Sequence, residues 1–226
     1  MNTVSFSLYG SDPKYYIGAE KNIEQIQRLL PEWTVSIYYH TEKTRPEYVT
    51  KLGDMGAKMI DITNTVIGNT PSHACPMFWR FFSFFEDGYS IVRDLDSRFS
   101  GREVSYINKW IDSERDIFII RDHPWHSQFP GGLIGMKSMA SIIKPKMEEF
   151  VDTHNAGGYG VDQDFLLHCF NETPRDNIYY CGFDQEDNYI PRDDKQFFIG
   201  MQVDEHDKPI VPGATQALDF LGELGL

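Results

Sequence analysis

The sequence predicts an α/β layer fold in one domain, a mostly parallel sheet flanked by helices. Short apolar runs alternate with amphipathic stretches through the first two-thirds of the chain. No internal repeat, low-complexity tract or Pro/Ser-rich linker divides the 226 residues. With 41% apolar and 14% aromatic residues, the chain has enough material for a packed core. Strands joined through helices imply parallel pairing, and ligands of such sheets bind beyond the carboxyl ends of the strands.

Residues 4–10 alternate with period two and stop at Gly10, which makes them strand one. Tyr16, Ala19, Ile23, Ile26 and Leu30 step by three and four along one helix face, and Pro31 ends that helix. Strand two covers 34–40, a weak helix starts at Glu47, and 57–62 is strand three. Residues 76–85 are apolar all round except for Arg80, the pattern of a buried helix. Residues 90–93 form strand four and run into Asp94-Leu95-Asp96. Ser100 and Glu103 make a capping box for a helix whose Val104, Ile107 and Ile111 share a face, and 117–120 is strand five. Beyond it the pattern weakens to Gly131-Gly132, Gly157-Gly158, a helix from about Val161 and an Asp-rich tail, with a late strand over 197–201 followed by a turn at Asp204-Glu205-His206.

Asp plus Glu is 34 against 21 Lys plus Arg, a net charge of −13. Such a protein repels phosphate backbones at long range, which argues against a nucleic-acid partner. A nucleotide still fits where a local Arg or a divalent cation reverses the field. No apolar run reaches the ~18–20 residues that span a bilayer. The opening residues lack a basic flank and a signal-like stretch, so the reading is a cytoplasmic protein. Cys75, Cys169 and Cys181 are odd in number and widely spaced, which suits buried reduced thiols rather than a zinc site or a disulfide framework.

The most informative local feature is Asp94-Leu95-Asp96 at the exit of strand four. Residues i and i+2 of an extended segment point the same way, so the two carboxylates converge. They repel unless a cation lies between them, and Mg²⁺ or Mn²⁺ is the natural answer. The plain alternative is a solvated turn that caps a helix. Arg80 needs an anion: an aspartate after strand four, a substrate phosphate, or Asp87 in a structural pair. Asp162 and Gln163 open an apolar helix, where they either cap it or face a cleft to hold sugar hydroxyls. His206 is a candidate third metal ligand or an ordinary exposed histidine, and Gly200 admits a close backbone approach to a phosphate.

The order of these motifs resembles the nucleotide-sugar-dependent glycosyltransferases of GT-A (Rossmann-like) fold, nearest the retaining glycogenin and lipopolysaccharide galactosyltransferase group. The resemblance spans residues 4–209 and rests on short motifs. It implies a nucleotide-binding half up to about residue 100 and a sugar and acceptor half from there to residue 226. By the same resemblance, Leu8, Tyr9 and Gly10 line a nucleoside pocket and Arg80 meets the diphosphate or the motif aspartates. Asp94 and Asp96, with His206, bind Mn²⁺ or Mg²⁺, and Leu95 lies near the ribose. Gly131-Gly132-Leu133-Ile134 resembles the family's segment beside the donor sugar but lacks its Asn. Asp162-Gln163 resembles the family's catalytic pair, and Phe198-Ile199-Gly200 the start of its C-terminal segment.

The implied activity is transfer of a hexose, with retention, from a UDP-linked nucleotide sugar to a hydroxyl of a glycan, lipid or protein. An inverting enzyme would instead need a base, for which Asp122 and His123 stand after strand five. A rival reading is a haloacid-dehalogenase-like phosphatase with Asp94 as nucleophile and Asp96 as acid. There the motif usually follows the first strand, whereas here three strands precede it. A third is a nucleotide-sugar-binding module without turnover.

Overall fold

A computed structural model describes residues 1–65, 75–153, 160–185, 188–191 and 198–210. Its centre is one seven-stranded sheet in the order β3-β2-β1-β4-β6-β5-β7. The strands are β1 (Thr3–Leu8), β2 (Thr34–Tyr39), β3 (Lys58–Asp61), β4 (Tyr89–Arg93), β5 (Ile117–Arg121), β6 (Leu133–Lys137) and β7 (Ile178–Gly182). Helices α1 (Pro13–Leu29), α2 (Pro46–Asp54), α3 (Gly101–Asp112), α4 (Ala140–Thr153) and α5 (Val161–Phe170) flank it, with a 3₁₀ segment over Cys75–Phe85. Every pairing is parallel except those of β6, which runs against β4 and β5. The expected mostly parallel α/β sheet is therefore present.

Two apolar layers sandwich the sheet, and strand alternation assigns side chains to them. In β5, Ile117 and Ile119 join the layer with Phe78, Phe81, Phe150 and Phe165, while Phe118 and Ile120 face Tyr16, Tyr106 and Trp110. In β1, Val4, Phe6 and Leu8 all enter the second layer, leaving Ser5 and Ser7 on the opposite face. That serine face receives the 3₁₀ segment. The Ser5 hydroxyl donates to the Arg80 carbonyl at 2.6 Å, and the Arg80 N–H donates to Ser7 Oγ at 3.0 Å. These bonds tie the Arg80 backbone to β1, and the expected buried helix over 76–85 takes the 3₁₀ form, with Phe78, Trp79, Phe81 and Phe84 buried.

Residues 133–137 and 178–182, to which the sequence assigns no element, are strands β6 and β7. The late strand over 197–201 is a turn from Phe198 to Met201, closed by a 3.1 Å Met201 N–H to Phe198 carbonyl bond with Gly200 at φ +87°; Phe197 lies outside the described residues, as do Gly157 and Gly158. The expected capping box is present: Ser100 Oγ accepts from the Glu103 N–H, the Ser100 N–H in turn favours the charged Glu103 carboxylate, and that carboxylate also pairs with Arg93. Cys169 and Cys181 are buried free thiols, while the Cys75 side chain lies outside the described residues.

Arg93 and Glu103 form a buried ion pair at 2.8 Å, and Arg93 also donates to the Gly132 carbonyl at 2.9 Å. The pair ties the end of β4 to α3 and to the loop entering β6. Burial pushes the Glu103 carboxyl from 4.5 up to about 7, against the opposing pull of Arg93. A carboxyl that holds its proton more tightly when folded stabilises the fold fully below its unfolded pKa of 4.5 and loses that contribution by about pH 7. Urea unfolding across this window should show wild-type stability falling with pH by about 3 kcal/mol more than that of Glu103→Gln, which cannot titrate. Parallel pH profiles for the two proteins would refute the assignment.

Candidate active site

The chain order reverses between β1 and β4: β2 and β3 extend the sheet on one side of β1, and β4 starts the other side. Ligands of open α/β sheets sit outside the carboxyl ends of the strands at such a point. The first residues past β1 and β4 are Tyr9 and Asp94. Because β6 runs backwards, its entry at Gly131-Gly132 reaches the same edge, with Leu133 paired to Arg93. A cavity of about 160 Å³ opens there, lined by Ser7, Tyr9, Tyr15, Met77, Arg80, Asp94, Leu95, Asp96, Gly131, Gly132, Gly160, Asp162, Gln163 and Gln202.

Arg80 sits at the centre of the anionic groups. One terminal nitrogen donates to Asp94, the other to Asp162 Oδ2 at 2.8 Å. The arginine and Asp162 are buried, whereas the Asp94 side chain is 46% exposed toward the cavity. Burial alone would disfavour the guanidinium charge, but the two carboxylates reverse this and raise its pKa. Asp162 is pushed above the usual carboxylate range by burial, an effect that Arg80 opposes. The sequence alternative of an Arg80–Asp87 pair is therefore set aside in favour of the aspartate after β4.

Asp96 is also buried, and burial together with Asp94 raises its pKa. Its cationic partner is Lys14, 3.3 Å away. Helix α1 fixes the whole Asp94–Ser97 turn through residues spaced by four. Below Lys14, Gly18 lies so close that a Cβ would stand 1.9 Å from the Leu95 carbonyl oxygen. Asn22 then donates to the Ser97 carbonyl and accepts from the Phe99 N–H, both at 2.9 Å. From the other side, the Val203 N–H donates to the Asp96 carbonyl at 2.7 Å.

The two glycines are a cradle for carboxylates. A Cβ on Gly131 would meet Asp162 Oδ2 at 2.0 Å, and one on Gly132 would meet Asp94 Oδ2 at 1.8 Å. Only glycine lets this loop pack against both acids. Above them Tyr9 stacks with Tyr15 and meets Trp79 edge-on, an apolar wall beside the charged floor. Burial pushes the Tyr9 hydroxyl up to about 12, so it stays protonated as a hydrogen-bond donor.

The structure thus brings Tyr9, Arg80, Asp94, Leu95, Asp96, Gly131, Gly132, Asp162 and Gln163 to one cavity. It does not bring the other expected residues to the lining. Leu8 is fully buried in the core beneath, and Gly10 turns the chain, accepting from the Tyr16 hydroxyl at 2.7 Å. Gly200 packs against Leu133. His206 is 72% exposed on a turn closed by Asp204, its Nε2 3.9 Å from Glu205. Asp122 is fully buried, held by both terminal nitrogens of Arg102 and by the Ile199 N–H, which leaves it no role as a base. His123 is buried and stacked on Phe198. Sequence reasoning missed Ser7, Lys14, Tyr15, Met77, Gly160 and Gln202. The four-residue spacing of Lys14, Gly18 and Asn22 was the legible signal for part of this set.

Among the described residues, no group of three His, Cys, Asp or Glu is arranged to hold a metal ion. Asp94 and Asp96 still supply hard oxygen donors on one cavity wall. Mg²⁺ is commonly held by one or two carboxylates, with phosphate and water completing the shell. The donor set therefore fits Mg²⁺ or Mn²⁺ accompanied by a diphosphate.

No protein-family model and no curated protein sequence matches the chain. Solved structures do. The glucosyl-3-phosphoglycerate synthase of M. tuberculosis aligns over 87% of this chain and 73% of its own at a TM-score of 0.56 and 12% identity. An active-site mutant of LgtC aligns over 99% of this chain and 96% of its own, again at 0.56 and 12%. This chain has the GT-A fold. The mannosyl-3-phosphoglycerate synthase of Rubrobacter xylanophilus is also similar, at a TM-score of 0.51, 12% identity, and coverage of 80% and 64%. In GT-A terms, the cavity lies at the switch point of the sheet. No helix among the described residues is long and apolar enough to cross a membrane.

Removing the central cation should be costly. Arg80→Met leaves Asp162 buried without its partner and is expected to lower unfolding stability by about 3–5 kcal/mol. Adding Asp162→Asn should recover part of that loss in urea unfolding at neutral pH; no recovery would mean that the Arg80–Asp162 contact is not what stabilises the site.

Proposed function

We propose that this chain is a metal-dependent glycosyltransferase that moves a hexose, with retention, from a UDP-linked nucleotide sugar to a hydroxyl acceptor on a glycan, lipid or protein. The observation that carries this reading is the convergence of Asp94, Asp96, Asp162 and Gln163 on one cavity at the switch point, with Arg80 between two of the acids. The likeness to the M. tuberculosis synthase supports it, since that protein has been crystallised with Mg²⁺ and UDP and with Mn²⁺, UDP and glucosyl-3-phosphoglycerate.

On this reading Asp94 and Asp96 would hold Mn²⁺ or Mg²⁺, and the ion would supply positive charge to offset that of a departing diphosphate. Tyr9 and Tyr15 offer the apolar wall for a base. Gly131 and Gly132 keep side-chain bulk away from the donor sugar. Arg80 holds Asp162 in place and balances its charge, so that Asp162 and Gln163 face the reacting carbon from fixed positions. The occupation of Asp122 by Arg102 favours retention over an inverting mechanism that would use it as base. The residues up to about 100 serve the nucleotide, and those beyond serve the sugar and acceptor.

A thermal-shift screen of nucleoside diphosphates with and without Mn²⁺ tests the reading, because a ligand of the native state raises the melting midpoint by mass action. UDP with Mn²⁺ should raise the wild-type midpoint, and Asp96→Asn should lose that shift while keeping its own fold. An Asp96→Asn protein with an unchanged Mn²⁺-dependent UDP shift would overturn the metal assignment. Binding of UDP without any donor cleavage would place the chain among non-catalytic binding modules.

A further inference from the structure

Resting on the metal-dependent reading above, we propose that Lys14 is a tethered counter-ion that occupies Asp96 and competes with the metal for it. The geometry is specific to this side chain. Lys14 stands in the first turn of α1, its N–H donating to the capping Asp12 carboxylate at 3.0 Å. From that fixed backbone the side chain runs to Asp96 Oδ2 at 3.3 Å, with its ammonium 4.7 Å from the centre of the Tyr15 ring. The lysine side chain is 17% exposed and that of Asp96 4%. An ordinary surface lysine extends into water; this one is folded inward onto one of the two converging aspartates.

Each of those aspartates thus carries a protein cation of its own, Arg80 on Asp94 and Lys14 on Asp96. The two cations differ in how firmly they are held. Arg80 is shared with Asp162, and its backbone is pinned by Ser5 and Ser7. Lys14 has one carboxylate partner and a flexible four-carbon stem, so it is the group that yields when a divalent ion arrives. An ammonium on a metal-binding carboxylate opposes a second cation there by Coulomb repulsion, which the covered site screens only partly. Two carboxylates against this repulsion hold bare metal weakly, and a diphosphate supplies the missing ligands and negative charge. Metal loading is thereby coupled to the arrival of the donor.

Mn²⁺ titration followed by electron paramagnetic resonance, with no nucleotide present, reads this directly. Wild type, Lys14→Met, Lys14→Arg and Asp96→Asn are compared. Lys14→Met should bind Mn²⁺ at least about tenfold more tightly than wild type, because a repelling charge at contact distance is gone. Lys14→Arg keeps the charge and should stay within about threefold of wild type, whereas Asp96→Asn should lose the site. Should Lys14→Met fail to fold, Lys14→Gln makes the same comparison. Wild type that binds Mn²⁺ with Lys14→Met or Lys14→Gln no tighter overturns the competition and leaves the metal reading standing. If neither wild type nor the neutral variant takes up bare Mn²⁺, the competition is overturned, and the metal reading then stands or falls on the Mn²⁺-dependent UDP shift.

Discussion

A guanidinium clamped between two carboxylates is the contact on which the candidate site depends. Arg80 could not remain charged in the layer of Phe78, Phe81 and Phe165 without anions beside it, and Asp162 could not remain buried without Arg80. The contact joins three pieces of chain far apart in sequence: the 3₁₀ segment, the turn after β4 and the start of α5. It also sets their spacing, since the glycines at 131 and 132 leave just enough room for the two carboxylates it holds.

Charge balance around this contact is local. The chain as a whole carries −13, yet the acids of the site are each met by a nearby cation. Arg80 meets Asp94 and Asp162, Lys14 meets Asp96, and Arg93 meets Glu103 one layer below. Such pairs add little net stability when compared with apolar packing, but removing one member strands its partner in a low-dielectric setting. They therefore act as constraints on geometry. The Asp94–Ser97 turn is held by α1 through Gly18 and Asn22, and by Val203 from the C-terminal side, so the two motif aspartates point where the backbone aims them.

Much of this frame was legible in the sequence. Period-two alternation at residues 4–8 and the three-four spacing of Tyr16, Ala19, Ile23 and Ile26 gave β1 and α1, since both elements bury one face against a layer. Strands β6 and β7 escaped because Leu133-Ile134-Gly135-Met136 and Ile178-Tyr179-Tyr180-Cys181 are buried almost throughout and show no alternation. The helix over 76–85 was legible as buried, but its 3₁₀ form was not, because an all-round apolar pattern marks burial without fixing the helix type.

The sequence by itself determined the α/β class, the Asp-Leu-Asp turn at a strand exit, and the need of Arg80 for an anion, because each follows from local pattern or from the cost of burying charge. Only the tertiary structure decided which anions those were, that Lys14 reaches Asp96, that Asp122 is spent on Arg102, and that His206 stands outside the cavity. The reason is physical: a side chain's partner is set by strand order and by the reversal of β6, which bring residues 14, 80, 94, 131 and 162 to one edge of the sheet. No spacing along the chain encodes that meeting.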